Sequence, residues 1–296
     1  MSRMPRARRV RPLALVAALA TVPLLLVACA APAELKPAAL PDGLEVRLQQ
    51  GRLDVEARRL VVRVENTGGE AVTIDGFELE APTLATALVR EEAFELPPGD
   101  ALAIRLPLPP AECGAEAGAA VLHVDATTPD GPAAGELTPD DPFDTLARVA
   151  DADCLAESVD TVATIAVPEH LRAIGSGVDR RAVIDVLVTP AASGSGSFVI
   201  DRVYGTTLLN AEGGVDWPVG VEISAGDAPQ TISLDVRPAR CDAHAIADDK
   251  RGTILPFEIR TSDGRAGRLD RSSGATLKAE LYQYYGERCG LALPAG

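Results

Sequence analysis

The chain is written twice, and that constrains its fold more than any other feature. Arg58-Arg59-Leu60-Val61-Val62-Arg63-Val64 is answered by Arg180-Arg181-Ala182-Val183-Ile184-Asp185-Val186. The match continues with Ile74-Asp75 and Ile200-Asp201, Gly99-Asp100-Ala101 and Gly226-Asp227-Ala228, Pro110-Ala111-Glu112-Cys113 and Pro238-Ala239-Arg240-Cys241, and Asp130-Gly131 and Asp263-Gly264. Leu146 then stands eight residues before Cys154, as Leu281 does before Cys289. Spacing drifts only between these blocks, where loops absorb changes of length that strands do not. A repeat of roughly 120 residues is the size of a domain rather than of a solenoid unit.

Within the blocks the apolar period is two, the mark of half-buried strands. Leu60, Val62 and Val64 are expected inward, with Val61, Arg63 and Glu65 outward; Ile184 and Val186 repeat the pattern. Leu102, Ile104, Leu106 and Leu108 alternate with polar or small residues, as do Ile232, Leu234 and Val236, and Pro107 places the first of these strands at a sheet edge. Leu122, Val124 and Ala126 correspond to Leu255, Phe257 and Ile259, and each set runs to an Asp-Gly turn suited to a hairpin. At Ile74 to Phe77 and again at Ile200 to Val203 the phase slips, which predicts a bulge or bend in both halves.

Strands of this length and spacing fit a sandwich of about seven strands. The segment Val61 to Leu79, with Asn66-Thr67-Gly68-Gly69 as its turn, resembles bacterial immunoglobulin-like modules. The second unit replaces that turn by residues 190–196, and its cysteines do not follow the antibody pattern, so the resemblance implies a fold and no functional residue. The expectation is an all-β chain: a leader (1–28), a tether (29–42), and two tandem immunoglobulin-like β-sandwich domains (43–158 and 159–296).

The leader has its own logic. Arg3, Arg6, Arg8, Arg9 and Arg11 precede an apolar run from Leu13 to Ala28 that is too short and too interrupted, by Pro23, for a comfortable membrane span. Arg11 and Pro12 stand where a twin-arginine signal wants apolar residues. The run ends in Leu26-Val27-Ala28-Cys29, which resembles the lipobox of bacterial lipoproteins. The resemblance implies cleavage before Cys29, lipidation of its thiol (the palmitate-bearing class of anchors), and residence on the extracytoplasmic face of a membrane, with two acyl chains giving firm attachment.

Four cysteines remain: Cys113, Cys154, Cys241 and Cys289. An even number in an oxidising compartment reads as disulfides, and the repeat selects Cys113–Cys154 and Cys241–Cys289, one within each unit. The rival, a zinc site of four cysteines, lacks any C-x-x-C pair.

Five of the 28 basic residues precede Cys29, leaving 23 against 43 acidic residues in the mature chain, a net charge of −20. That disfavours nucleic acid as a partner and opposes contact with anionic headgroups, so Ala- and Pro-rich residues 30–42 read as a tether holding the body off the membrane.

Chemistry is sparse. No G-x-S-x-G, H-E-x-x-H or phosphate-loop pattern occurs, and no cofactor is expected. His123 falls on the outward phase of its strand, opposite Pro256 in the repeat; His170 has no sequence partner. His244, near Asp242, Asp248 and Asp249, makes the most metal-like grouping but lacks ordered ligand spacing. Asp140, Asp141, Asp144, Asp151 and Asp153 read as a solvated acidic face, since an EF-hand's glycine and glutamate are missing. Residues 192–197, rich in Ser and Gly, read as a flexible hairpin loop. Aromatics form only 3% of the chain and concentrate in the second unit. Trp217, Tyr282 and Tyr284 are therefore the candidate binding surface, with the two tyrosines sharing one face of a strand, the alternative being core positions with hydroxyls on backbone carbonyls. The expected role is a non-catalytic envelope lipoprotein presenting two modules to a protein or glycan, or acting as a spacer. An envelope hydrolase using distant carboxylates, or a metal-binding surface module, is the alternative.

Overall fold

Alternating sequence becomes paired strand throughout both halves. The computed structural model describes residues 36–116, 118–244, 249 and 251–291, so the leader and Cys29 lie outside the described residues. The first half contains β1 (Leu44–Gln49), a short helix α1 (Arg52–Glu56), β2 (Arg59–Asn66), β3 (Val72–Glu80), β4 (Leu88–Arg90), β5 (Phe94–Leu96), β6 (Ala101–Pro107), β7 (Val121–Thr128) and β8 (Gly131–Leu137). These form two antiparallel sheets, β1-β2-β6 and β4-β3-β7-β8, with β5 also pairing β3. Helix α2 (Thr145–Val162) follows.

The second half repeats this order with β9 (Ala163–Ala166), β10 (Arg172–Ile174), β11 (Arg181–Pro190), β12 (Ser197–Val203), β13 (Leu209–Ala211), β14 (Trp217–Ser224), β15 (Gln230–Pro238), β16 (Ile254–Thr261) and β17 (Ala266–Ser272), ending in helix α3 (Ala275–Arg288). Its sheets are β10-β11-β15-β13, with β9 also on β11, and β14-β12-β16-β17. Thus β11, β12, β15, β16 and β17 stand where β2, β3, β6, β7 and β8 stand in the first half. Each half is an immunoglobulin-like β-sandwich, three strands facing five in the first and five facing four in the second, closed over aliphatic side chains.

The register repeats as well. Pairing shifts between Ile74 and Gly76 in β3 and between Ile200 and Arg202 in β12, a bulge at the same place in both sandwiches. Strand β6 lies at the edge of its sheet and ends at Pro107, which cannot donate to a ladder. Two inward and outward assignments fail. Leu102 is 39% exposed, because it begins the edge strand, and Val61 is buried on the nominally outer face. Helix α1 lies against β2 there, held by Asp54, whose carboxylate accepts from the Gly51 amide and from Arg105, the residue opposite Val61.

Both disulfides form, Cys113–Cys154 and Cys241–Cys289, with Cα atoms 5.5 and 5.2 Å apart. Each ties the connection after β6 or β15 to the helix that follows the last strand. Those helices depart from the all-strand expectation at both ends. The signal for them is present, since Leu155, Val159 and Val162, and likewise Leu277, Leu281 and Tyr284, are spaced by four and three residues and are all buried. The α2 amides of Thr145 and Leu146 are capped by the Asp141 carboxylate. The anticipated division between residues 158 and 159 falls inside α2, and residues 37–296 form one compact unit.

The tether ends early. Ala38 bridges to Ala133 in parallel, exchanging hydrogen bonds with Pro132 and Ala134 at 2.9 Å, and Leu40 packs over Gly135. The entering chain therefore already covers the outer edge of β8. Residues 190–197 join β11 to β12, which belong to different sheets, so this segment crosses the sandwich and is not a hairpin.

Candidate functional site

The core alternative holds for Trp217 and Tyr284, whose polar atoms bond backbone carbonyls, and the candidate surface does not form. Trp217 and Tyr284 belong to the second core at 6% and 0% exposure, and Tyr282 is half-buried. Tyr282 and Tyr284 lie on a helix, where two residues apart means about 200° around the axis, so they face different ways. Their polar atoms are occupied by the protein itself. The Trp217 indole donates to Asp235 O at 2.7 Å and the Tyr284 hydroxyl to Val236 O at 2.6 Å. Tyr282 donates to Asp249 and Tyr285 to Arg240 O. Burial pushes the Tyr284 hydroxyl up to about 12. The tyrosines pin α3 to the end of β15 and to the connection beyond it, while Trp217 ties β14 to β15.

The acidic stretch is likewise put to structural use. Asp140 pairs with Arg47 at 3.2 Å, Asp141 caps α2, and Asp153 takes two bonds from Arg58 at 2.6 and 2.7 Å. Near His244, the Asp249 carboxylate accepts from Gly252, Thr207 and Tyr282, while Asp248 lies outside the described residues. Among the described residues no group of three or more His, Cys, Asp or Glu side chains is placed to hold a metal ion. His170 bonds Glu280 on α3 at 2.9 Å, and the hydrogen bond that the ring donates to that carboxylate raises the imidazole pKa.

His123 leads to a different surface. It stands on β7 in a row across the sheet, Val89, Glu78, His123, Glu136, with Glu136 at 3.5 Å and Glu80 at 3.6 Å from its ring nitrogens. Strands β3, β4, β5, β7 and β8 carry six carboxylates: Asp75, Glu78, Glu80, Glu95, Asp125 and Glu136. All six are exposed. The same strands carry one basic residue, Arg90, which is turned toward Glu92 at 3.3 Å and over the Phe94 ring. A shallow cavity of about 350 Å³ opens on this face between Asp75, Glu78, Arg90, Glu91, His123 and Asp125, beside Val89 at 53% exposure.

The repeat provides an internal control. In the equivalent sheet of the second half, Asp201 takes two bonds from Arg260 at 2.6 and 2.7 Å, and the guanidinium holds its carboxyl below the ordinary carboxylate range. Glu258 pairs with Arg202 at 2.6 Å, and Asp270 with Arg268 at 2.6 Å. The carboxylates at the bulge and on the next strand are retained in the first half as Asp75 and Asp125. The arginines that neutralise them are not: Gly76 stands in the place of Arg202 and Thr127 in the place of Arg260. Residues 37–162 carry 25 acidic against 8 basic residues, net −17, whereas residues 163–296 carry 17 against 14, net −3. Charge of one sign on one sheet face focuses potential outward and favours encounter with cations. Single-sequence reading missed this face because its acids are scattered over 60 residues, although aligning the two repeats reveals the lost arginines.

No protein-family model matches the sequence, and no curated protein matches it. Among solved structures the chain is similar to a red sea bream transglutaminase (12% identity, TM-score 0.22), over 78% of this chain but only 30% of that one. It is also similar to the YadV chaperone (14% identity, TM-score 0.21, 73% of this chain and 94% of that one) and to the calcium binding domain CBD12 of CALX1.1 (13%, 0.21, 71% and 75%). The fold assignment rests on the strand order above and not on these likenesses.

Proposed function

We propose that this chain is a non-catalytic lipoprotein, anchored through Cys29 on the extracytoplasmic face of a membrane, whose first sandwich presents its acidic sheet face to a cationic segment of an envelope partner. The observation that carries this reading is the contrast between equivalent sheets, with carboxylates paired in one and left without their arginines in the other. Complementary charge chiefly sets encounter rate and partner choice, and it makes the association salt-sensitive. The leader pattern ending at Cys29 supports the anchor. The second sandwich, whose sheet is charge-balanced and whose Trp217, Tyr284 and Tyr285 are internal, serves as structural support.

Two measurements test this. Labelling of the chain by radioactive palmitate, lost in Cys29→Ser, tests the anchor; equal labelling of both forms refutes it. Crosslinking in the native cells, followed by mass spectrometry, compares wild type with a Thr127→Arg/Ala134→Arg variant that supplies the counterparts of Arg260 and Arg268 and so restores those charges of the second sheet. The expected result is a basic partner enriched by wild type and reduced at least tenfold in the variant. A partner set unchanged by the variant removes the acidic face from the binding role.

A further inference from the structure

We infer that α2 is a rigid coupler that makes the two sandwiches unfold as one cooperative unit, although each has its own core and its own disulfide. This inference depends neither on the lipid anchor nor on the acidic face.

The helix belongs to both halves. Near its start, Leu146 and Val149 are buried in the first core; farther along, Leu155, Val159 and Val162 are buried in the second. Val149 and Leu155 are six positions apart, about 9 Å of helix at 1.5 Å per residue. A continuous helix spans that distance without a linker, and Val162 passes directly into β9. In two beads on a flexible string, one side of this junction would be solvated; here both ends of one helix are core.

Polar contacts fix the helix at both ends. On the first half, Cys154 is bonded to Cys113 and Asp153 accepts from Arg58 and from the Ala111 amide. On the second, Ser158 donates to Asp263 in the turn between β16 and β17, and Asp160 accepts from Arg271 on β17 at 2.6 Å. The Ala191 amide donates to Val162 O. Unfolding the first sandwich therefore frees the amino-terminal half of the helix. That costs the second sandwich the support of its own covering segment, since the carboxy-terminal half left behind falls below the roughly 12–15 residues an isolated helix needs in water.

Loss of the coupling must be read separately in each half, and the chain contains its own probe. Trp217 is the only tryptophan and is buried in the second core, so its fluorescence reports the second sandwich alone, while far-ultraviolet circular dichroism reports both. In the oxidised mature chain, Leu79→Ala removes a fully buried side chain from β3 of the first sandwich. The expected result is a Trp217 melting midpoint lowered by about 5–10 °C, in step with the dichroism. A fluorescence midpoint that stays at the wild-type value while the dichroism falls overturns the inference. Should Leu79→Ala fail to fold, the milder Leu122→Val serves the same comparison. Inserting Gly-Ser-Gly-Ser between Cys154 and Leu155 in the Leu79→Ala or Leu122→Val background is expected to return the Trp217 transition to independence. Persistence of the common shift would place the coupling elsewhere than α2.

Discussion

His170 shows how single residues take their roles from partners distant in sequence. It lies between β9 and β10, while Glu280 sits 110 residues later on α3, and the carboxylate also accepts the Leu171 amide at 2.6 Å. The hydrogen bond to Glu280 raises the His170 pKa above the ordinary imidazole value of about 6.5. That contact contributes stability fully present below pH about 6.5 and lost as pH rises through the raised value. Glu280 is held low, first by the Leu171 amide and then by His170, so its share appears above the ordinary carboxylate pKa and is lost as pH falls through the lowered one. An NMR titration of the His170 ring is expected to give a midpoint above 6.5, dropping in Glu280→Gln; an unchanged midpoint in that variant removes the pairing. The same lesson covers Trp217 and Tyr284. Their types were legible in the sequence as a concentration of aromatics, but whether they faced water or core was not, because the acceptors at Asp235 and Val236 are reached only through the packed fold.

At the scale of elements, the strands were plainly legible, whereas the helices left a shorter signal of three apolar positions each that was easily passed over. Alternation over Leu60 to Val64 or Ile232 to Val236 is a local signal, readable without neighbours. Helix α2 lies in a stretch crowded with alanine and aspartate, where acidic residues invite a reading as solvated loop, and its apolar positions make sense only when two cores share them. The cysteine pairing followed from the repeat because equivalent places in duplicated units have equivalent neighbours. The Cys113–Cys154 bridge closes a loop of 41 residues, worth about 4 kcal/mol on the chain-entropy account. Cys113→Ser/Cys154→Ser is accordingly expected to lose roughly that amount in urea unfolding, with Trp217 reporting the loss from the other sandwich. A loss confined to the dichroism signal would show that the bridge stabilises the first half alone.

Across the whole molecule, the charge is concentrated in the first half, at −17 against −3. Like charges on a compact body repel, and salt screens them, with a Debye length falling from roughly 30 Å at 0.01 M to about 3 Å at 1 M. The ion pairs of the second sheet are mostly part-exposed and worth little each, so screening of the first sandwich prevails. Raising salt from 0.01 to 0.5 M is expected to raise the melting temperature by a few degrees in calorimetry, and less in Thr127→Arg. A fall with added salt would show that the ion pairs outweigh the repulsion.

The sequence by itself determined the duplication, the alternating strands with their paired bulges, the partners of the four cysteines and the excess of negative charge. Each of these is written in local spacing or in the comparison of one half with the other. Tertiary structure alone decided that α2 belongs to two cores, that Trp217, Tyr284 and Tyr285 are internal, and that six carboxylates from four strands share one face with a single arginine. Those outcomes depend on which distant segments become neighbours, and a chain acquires such neighbours only when its sheets close over a core.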